Sequence, residues 1–520
     1  MQQVFEATTL KILILFAFAA AAYVSTKRSR TRLPPGPRGV PILGNVFQLD
    51  ISQPWRTFTK WKQRYGPLVY VNMAGQPIVI LSSKKTVEDL LDRRAAKYSD
   101  RPRILVGREY LTRNLDMVLI SHTERWRKMR RASETALGLR MAMNYQYKQA
   151  EESVLLAHDL LKKSSDWKFH THRTASSNIL SIVYDLPSVQ SSNDPILAFM
   201  DYYVSRSAEA LLPGSHMVDT FPILDYLPDV LAHWRRKAGK DFQKFTNKFE
   251  KMFLKIKSKS LAGMEQRPSF CATLVETEAK HGMSDVESSW LAGVLYAAGQ
   301  ETSTTVLHWF LFIMLLFPEV QRQAQDELDR VVGRSRLPSP ADMKHLPYIQ
   351  AIVKEIVRWK PPTPIGVPHA SNEDDYYDGF FIPKGTVIIP NVWHLNRDPE
   401  IYGPDADQFR PERHLDQQGN LRDPKDDGHF TFGFGQRVCV GRHVANNFLS
   451  IAFATILWAL RIEPVKDHAG NDILPDIDAE VSYNAVIIRP PPFEFVTVAR
   501  FEDVDTLMQQ AREEILVGSN

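Results

Sequence analysis

With 520 residues the chain is longer than one typical domain, and 44% apolar residues with ten tryptophans are enough for a sizeable core. Lys plus Arg (64) nearly balances Asp plus Glu (60), leaving a net charge of +4, and no RNA- or DNA-binding motif accompanies it, so no nucleic-acid partner is expected. Its two cysteines, Cys271 and Cys439, are too few for a disulfide framework or for a zinc or iron–sulfur site, which suits a reducing compartment.

Ile12 to Val24 is an unbroken apolar run, followed by Lys27, Arg28, Arg30 and Arg32. As a helix it covers about 20 Å, short of the roughly 30 Å hydrocarbon core. Val4, Phe5 and Leu10 extend it if Lys11 snorkels and Glu6 stays at the interface. The small residues Ala19 to Ala22 would also suit a cleaved signal peptide, but the cations follow the run rather than precede it. The expectation is an uncleaved single-pass transmembrane anchor over 1–26, in contact with membrane lipid, with the following domain cytosolic. A basic, proline-rich hinge fills 27–45, where four prolines and three glycines between Leu33 and Asn45 cannot continue a helix. The globular domain is 46–520.

Residues 67–81 read as a β-hairpin turning at Gly75, and Thr86 to about Ala96 as a helix. Residues 100–120 lack clean periodicity. Thr123 to Arg131 is a strongly basic helix with Trp126 and Arg130 on one face, a pattern that a solvated surface also produces. Residues 145–260 are mostly helical, broken at Leu186-Pro187 and Pro213-Gly214. Phe221 to Pro228 is a hydrophobic loop, and Trp234 to Lys259 a basic amphipathic helix. Ser284-Asp-Val-Glu287 is a capping box that opens a helix of about 50 Å running to Phe317. Its middle, Ala297 to Thr305, sets Glu301 and a row of hydroxyls in an otherwise apolar helix, which costs stability unless something polar lies alongside. Hydroxyls bonded to carbonyls one turn back are the plain account of that row. Gly299 reads as a place where backbone and ligand approach closely. Pro347 starts a helix that ends before Pro361 and carries Glu355 and Arg358 three apart, a spacing common among surface ion pairs. Gly366 to Ala370 reads as a strand containing His369, and Ile382 to Gly385 as a hairpin turn from which Thr386 to Ile389 returns.

Phe432 to Gly441 holds Cys439. Gly433, Gly435 and Gly441 let the backbone turn sharply and approach a flat ligand. Arg437 brings a fixed charge two residues from the sulfur. A helix from Arg442 to about Arg461, with Val444, Phe448, Ile451, Thr455 and Trp458 on one face, puts Cys439 at a helix N-terminus that favours an anion. A buried structural cysteine in a glycine turn is the plain alternative.

The pattern Phe432, Gly435, Arg437, Cys439, Gly441 resembles the haem-binding loop of the cytochrome P450 family. Three further motifs resemble that family in order and spacing: Trp126 with Arg130; Ala298, Gly299, Glu301, Thr302 and Ser303; and Glu355 with Arg358 followed by Phe409 to Arg413. The resemblance covers the chain after the hinge and is closest to microsomal, fungal-type members of secondary metabolism. It implies a mainly α fold with small β-sheets behind the anchor, at the endoplasmic reticulum membrane. It implies haem b (iron protoporphyrin IX) with Cys439 as axial iron ligand, and propionates met by Trp126, Arg130, Arg437 and, unless it is merely structural, His369. Thr302 and Glu301 then hydrogen-bond the O2 co-substrate and relay protons, while Glu355, Arg358 and Arg413 lock the cysteine loop. His414 stands where the family commonly has Phe, a departure that puts little in doubt. The implied reaction inserts oxygen into an apolar small molecule, with terpenoid and polyketide substrates both open. Since no dinucleotide fingerprint is present, NADPH acts through a separate flavin reductase. A peroxide-driven enzyme, an isomerase or lyase, and a non-enzymatic haem protein are the alternatives.

Overall fold

Caps and prolines set the ends of the long helices. The computed structural model describes residues 32–518 apart from 192, 213, 424–427, 478, 480, 484 and 485; the anchor expected over 1–26 and the hinge through 31 lie outside the described residues. The fold is mainly α with small β-sheets. Among the described residues, the helices of twelve or more residues are α1 (Pro54–Tyr65), α2 (Glu124–Leu137), α3 (Gln146–Lys162), α4 (Trp167–Tyr184), α5 (Pro195–Leu211), α6 (His233–Leu261), α7 (Asp285–Leu316), α8 (Pro318–Val331), α9 (Pro347–Trp359), α10 (Arg442–Ala459) and α11 (Val504–Gly518). Pro occupies the first turn of α1, α5, α8 and α9, where its missing N–H breaks no helical bond. Ser284 and Glu287 close the expected capping box on α7. Asp185 ends α4 in the left-handed region. The helix expected over Thr86 to Ala96 forms, with a π-helical stretch at Glu88–Arg93, and α10 stops at Ala459 because the chain runs straight into a strand.

The strands are β1 (Leu68–Met73), β2 (Gln76–Leu81), β3 (His369–Ala370), β4 (Asp375–Tyr377), β5 (Phe380–Ile382), β6 (Val387–Pro390), β7 (Leu460–Lys466), β8 (Asp472–Ile473), β9 (Ser482–Tyr483), β10 (Ile488–Arg489) and β11 (Phe495–Ala499). The expected hairpin β1–β2 pairs Leu68 with Leu81 and turns at Ala74 and Gly75, both at positive φ, the backbone that a two-residue hairpin needs. The second expected hairpin does not form. β6 does not return along β5; it runs parallel to β2, with Ile78 opposite Val387, and antiparallel to β3, with His369 opposite Ile388. β4 and β5 pair with each other instead. Joining the larger sheet buries all four residues of β6, which pairing with the short, half-exposed β5 would not.

α7 runs through two apolar cores. Its first half packs with α5 and α6, where Trp290 stacks on Phe242 at 5.4 Å between ring centroids and meets Phe249 edge-on. Its second half packs with α9 and α10, where Phe310 stacks on Phe453 at 3.9 Å. α10 bridges the same cores, with Val444 in the first and Phe448 in the second. Between them lies a seam that α7 crosses at Ala297 to Thr302. Ala298 is exposed there although the helix on either side is buried. Among the described residues no single helix is long and apolar enough to cross a membrane.

A Cβ on Gly299 would meet Ile179 of α4, 2.7 Å from Cδ1 and 3.0 Å from Cγ1. The glycine lets α7 lie close on α4. Gly299→Val is therefore expected to lower the thermal unfolding temperature, at a cost of about 1–3 kcal/mol from overpacking. The double variant Gly299→Val with Ile179→Ala should recover most of it, a rescue that circular dichroism melting would detect.

Candidate active site

The loop 432–441 is shaped by two glycines and closed by its own amides. Gly433 and Gly435 take φ of +80° and +52°. A Cβ on Gly435 would meet the Leu91 carbonyl oxygen at 2.1 Å, so conformation and space both demand glycine. The Gly435 amide donates to Asp92 Oδ1 at 2.6 Å, and the Cys439 amide to the Phe432 carbonyl at 2.7 Å. Gly441 has an ordinary φ of −85°; a Cβ there would stand 4.0 Å from the Cys439 sulfur, so its bareness leaves that side of the sulfur uncrowded.

Cys439 is an exposed residue, yet desolvation pushes its thiol above the ordinary range. The amides of Gly441 and Arg442, at the N-terminus of α10, and the charges of Arg130 and Arg442 work in the opposite direction, as a helix terminus should.

Arg437 directs its guanidinium at backbone carbonyls. Its Nε, Nη1 and Nη2 donate to the carbonyls of Ser99, Met117 and Ile120 at 2.9, 3.2 and 2.8 Å. The segment 99–120 has little regular ladder, so its buried carbonyls need outside donors, and a guanidinium supplies several at once. Arg437 also lies 4.3 Å from the centre of the Trp126 ring. Burial, reinforced by Arg101 and then Arg130, pulls it down to about 8. Arg130 donates through Nη1 to the carbonyl of Val438, beside the cysteine, at 2.6 Å, and pairs through Nε with Glu134 at 2.7 Å. His369 is buried with Nδ1 2.9 Å from the Tyr98 carbonyl; a carbonyl only accepts, so Nδ1 carries the hydrogen. Burial, then Arg101 and Arg437, push this imidazole well below its ordinary value. The four expected residues thus come together, joined by Arg101, which burial pulls down to about 10. Arg101 was not singled out in the sequence, because nothing in an aperiodic stretch marks one arginine from its neighbours.

On α7, the Thr302 hydroxyl donates to the Ala298 carbonyl one turn earlier at 2.8 Å. Glu301 is ion-paired with Arg489 of β10. That partner lies 188 residues away, and no local signal announces it.

Glu355 is sealed from solvent. Both its oxygens take Arg358, at 2.7 Å each; Arg413 Nε reaches Oε1 at 2.9 Å; and His414 Nε2 lies 2.9 Å from Oε2. The expected lock residues do meet, and His414, set aside in the sequence, is a fourth member. Arg358 also donates to the carbonyls of Asn396, Ala406 and Gln408. Asn396 in turn takes the Phe430 amide and donates to Thr431 Oγ1, both at 2.8 Å, which ties the network to the entry of the cysteine loop. Burial raises the Glu355 carboxyl, but Arg358 and then His414 outweigh it and hold it at about 2.

The site thus sets a lone sulfur before a helix N-terminus, on a loop tied to a buried ion network and flanked by buried cations. The family profile for cytochrome P450 matches residues 34–495. The chain is 46% identical to a cytochrome P450 monooxygenase of Armillaria gallica over 96% of this chain and 97% of that one. It is 36% identical to the cytochrome P450 monooxygenase iboC of Amanita muscaria (96% and 97%) and 32% identical to claR of Ampulloclitocybe clavipes (95% and 91%). The chain belongs to the cytochrome P450 family and is a monooxygenase of that family.

Glu355→Gln should strand Arg358 and Arg413 and cost about 3–5 kcal/mol, whereas His414→Phe removes one charge-assisted bond and should cost about 1.5–3 kcal/mol. Because the Glu355 carboxyl is depressed from 4.5 to about 2, its contribution is complete above the unfolded value and lost as pH falls through about 2. Urea unfolding of both variants against wild type, repeated at falling pH, measures the order and the window.

Proposed function

We propose that the chain holds haem b (iron protoporphyrin IX) on Cys439 and, with O2 as co-substrate and electrons from a separate NADPH-dependent flavin reductase, oxidises an apolar small molecule. The observation that carries this is Cys439, exposed yet desolvated just before the N-terminus of α10, on a loop whose entry is tied to the Glu355 network. Among the described residues no three His, Cys, Asp or Glu side chains gather to hold a metal. An iron bound by the single sulfur has to bring its equatorial ligands, as a porphyrin does. Trp126, Arg130, Arg437, His369 and Arg101 would meet its two carboxylates; Phe432, Gly435 and Gly441 shape the loop beneath it. When bound, the thiolate-ligated haem supplies the redox chemistry that activates O2.

The remaining work falls to this chain's own groups. Cys439 gives up its proton on ligation, and the Gly441 and Arg442 amides stabilise the negative sulfur. The Thr302 oxygen, its hydrogen held on Ala298, is placed at the seam to accept a proton and pass one on. Glu301, on leaving Arg489, takes a proton from solvent and passes it to Thr302, and Arg489 holds the carboxylate again once the proton is gone. Residues 1–26 anchor the protein in the endoplasmic reticulum membrane with the catalytic domain cytosolic. The resemblance to microsomal, fungal-type members carries the reading of a role in secondary metabolism, with terpenoids and polyketides as the candidate substrates.

Reduced protein exposed to CO is expected to show the red-shifted Soret band of thiolate ligation, and Cys439→Ala to abolish it. Turnover is expected to require NADPH and reductase; turnover sustained by peroxide alone would favour the reductase-free alternative. Glu301→Gln should keep the CO band while lowering kcat by about 10²-fold or more, read as product formed per haem.

A further inference from the structure

α6 uses only one face to build the fold. Its inner side buries Ala238, Phe242, Phe245, Phe249, Phe253 and Ile256 in the core that it shares with α5 and α7. On the opposite side stand Lys240, Lys244, Lys248, Lys251, Lys255 and Lys259, each three or four residues from the next, a row of about 29 Å at the helical rise. Five of them are exposed and Lys248 is half-buried; the middle of the row rests on α5, with Lys244 over the Tyr202 ring at 3.9 Å and Lys248 over Phe199 at 5.7 Å. Among the described residues none of the six has a carboxylate within ion-pairing distance. Other lysines of the helix show what compensation looks like: Lys237 pairs with Glu209 at 3.5 Å, and Lys257 with Glu278 and Asp285 at 2.9 and 2.7 Å. Of the two acids on α6, Asp241 is buried and taken by Arg206 at 2.7 Å, and Glu250 lies at the margin of the row without an ion pair among the described residues. In a chain whose net charge is only +4, this face is a strong local excess.

Like charges one turn apart repel, and an anionic partner shared by all six removes that cost. Two features say which kind of anion fits. The row is built of lysine alone, whereas fixed protein interfaces are poor in Lys and rich in Arg. A compact charge on a flexible stem suits a fluid array of headgroups that offers no fixed geometry. Exposed apolar side chains also stand along the helix and at both of its ends: Tyr226, Val230 and Leu231 in the segment that leads into it, Leu254 beside the row, and Leu261 and Met264 at its far end. Cations flanked by protruding apolar groups match a bilayer surface, with headgroups for the lysines and the acyl boundary for the apolar tips. An acidic protein groove would match the lysines and leave the apolar side chains in water.

We infer that the outer face of α6 docks on an anionic phospholipid surface, so that this helix lies along the bilayer and sets the orientation of the whole domain. The anchor proposed over 1–26 supplies attachment but no orientation, and the inference is independent of the haem reading. Full-length protein is reconstituted into nanodiscs of phosphatidylcholine alone and of phosphatidylcholine with one part in three of phosphatidylserine. Each lysine's rate of acetylation by a neutral reagent is then read by mass spectrometry at low and at high salt. Failure to enter the phosphatidylcholine discs would overturn the anchor reading and not this one, which is then read by the same footprint on sedimented vesicles of the two compositions.

Lys240, Lys251, Lys255 and Lys259 are expected to react about threefold or more slowly in the phosphatidylserine discs at low salt, and equally in both discs at high salt. Lys163 and Lys466, exposed on other elements, should keep one rate throughout. The combined variant Lys240→Gln, Lys251→Gln, Lys255→Gln and Lys259→Gln, all surface changes, should leave thermal unfolding unchanged and bring Lys244 to the same rate in both discs. Equal rates for the row in the two wild-type discs, equal slowing of Lys163 and Lys466, or lipid-dependent protection of Lys244 that survives in the variant would each overturn the inference. Protection of the row in phosphatidylcholine discs on adding the flavin reductase, with none from phosphatidylserine, would also overturn it and assign the face to a protein.

Discussion

A single carboxylate with no access to water organises the haem side of this protein. Taking Glu355 and its cationic partners out of water costs several kcal/mol per ion, and only close geometry with every donor matched offsets it. That requirement is met by residues from distant parts of the chain: Arg358 on the same helix, Arg413 and His414 from the segment after β6, and the carbonyls of Asn396, Ala406 and Gln408. Because each partner is needed to compensate the others, the network acts as one unit, and α9 cannot shift without the 396–414 segment. Asn396 extends this constraint to Phe430 and Thr431. The cysteine loop has left-handed glycines and few ladder bonds of its own, so its shape is imposed from this side.

The opposite constraint comes from α7. A helix buried along both halves but open in the middle needs two cores rather than one, and the break between them is where polar side chains become tolerable. Glu301 and Thr302 would be poor choices in either core. At the seam, Glu301 finds Arg489 and Thr302 finds a carbonyl one turn back. α10 joins the same two cores, with Val444 in the first and Phe448 in the second, and Cys439 stands just before its first turn. The two helices that span this pair of cores thereby fix the sulfur's loop and the Thr302 hydroxyl to one framework.

Much of this was legible in the sequence, for reasons that are local. Caps, prolines and 3.6-residue periodicity report on a helix's own backbone, so α2, α7, α9 and α10 were placed to within a few residues. The glycine spacing around Cys439 likewise reports the loop's own conformation. What sequence could not carry was the identity of partners. Periodicity shows that Gly299 is small but not that it meets Ile179. It shows two short strands at 380–390 but not that β6 prefers a buried place beside β2, since strands of three or four residues have too little pattern to choose. His414 looked like a neutral departure because its value depends on a carboxylate 59 residues earlier. Arg437 is taken by carbonyls at 99, 117 and 120 that lacked donors, a need visible only once their backbone is placed.

The cationic pocket behind the loop shows how binding and folding are linked in this architecture. Burial pulls Arg437, Arg101 and His369 below their ordinary values, and the charge of Arg101 adds to the effect on Arg437 and on His369. Their side chains are held in place by carbonyls, which orient a cation without compensating its charge. Two carboxylates entering among them would raise all three at once, so the free energy released on binding includes relief of their mutual repulsion as well as the new contacts. His369 sharpens the point. With its Nδ1 hydrogen fixed on Tyr98, only a proton gained at Nε2 lets it donate to an incoming carboxylate, and the carboxylate is what makes that proton favourable. A pocket built this way discriminates against neutral flat molecules by electrostatics before shape is tested, and it does so with residues that the Cys439 loop itself holds in register through Arg437 and the Val438 carbonyl.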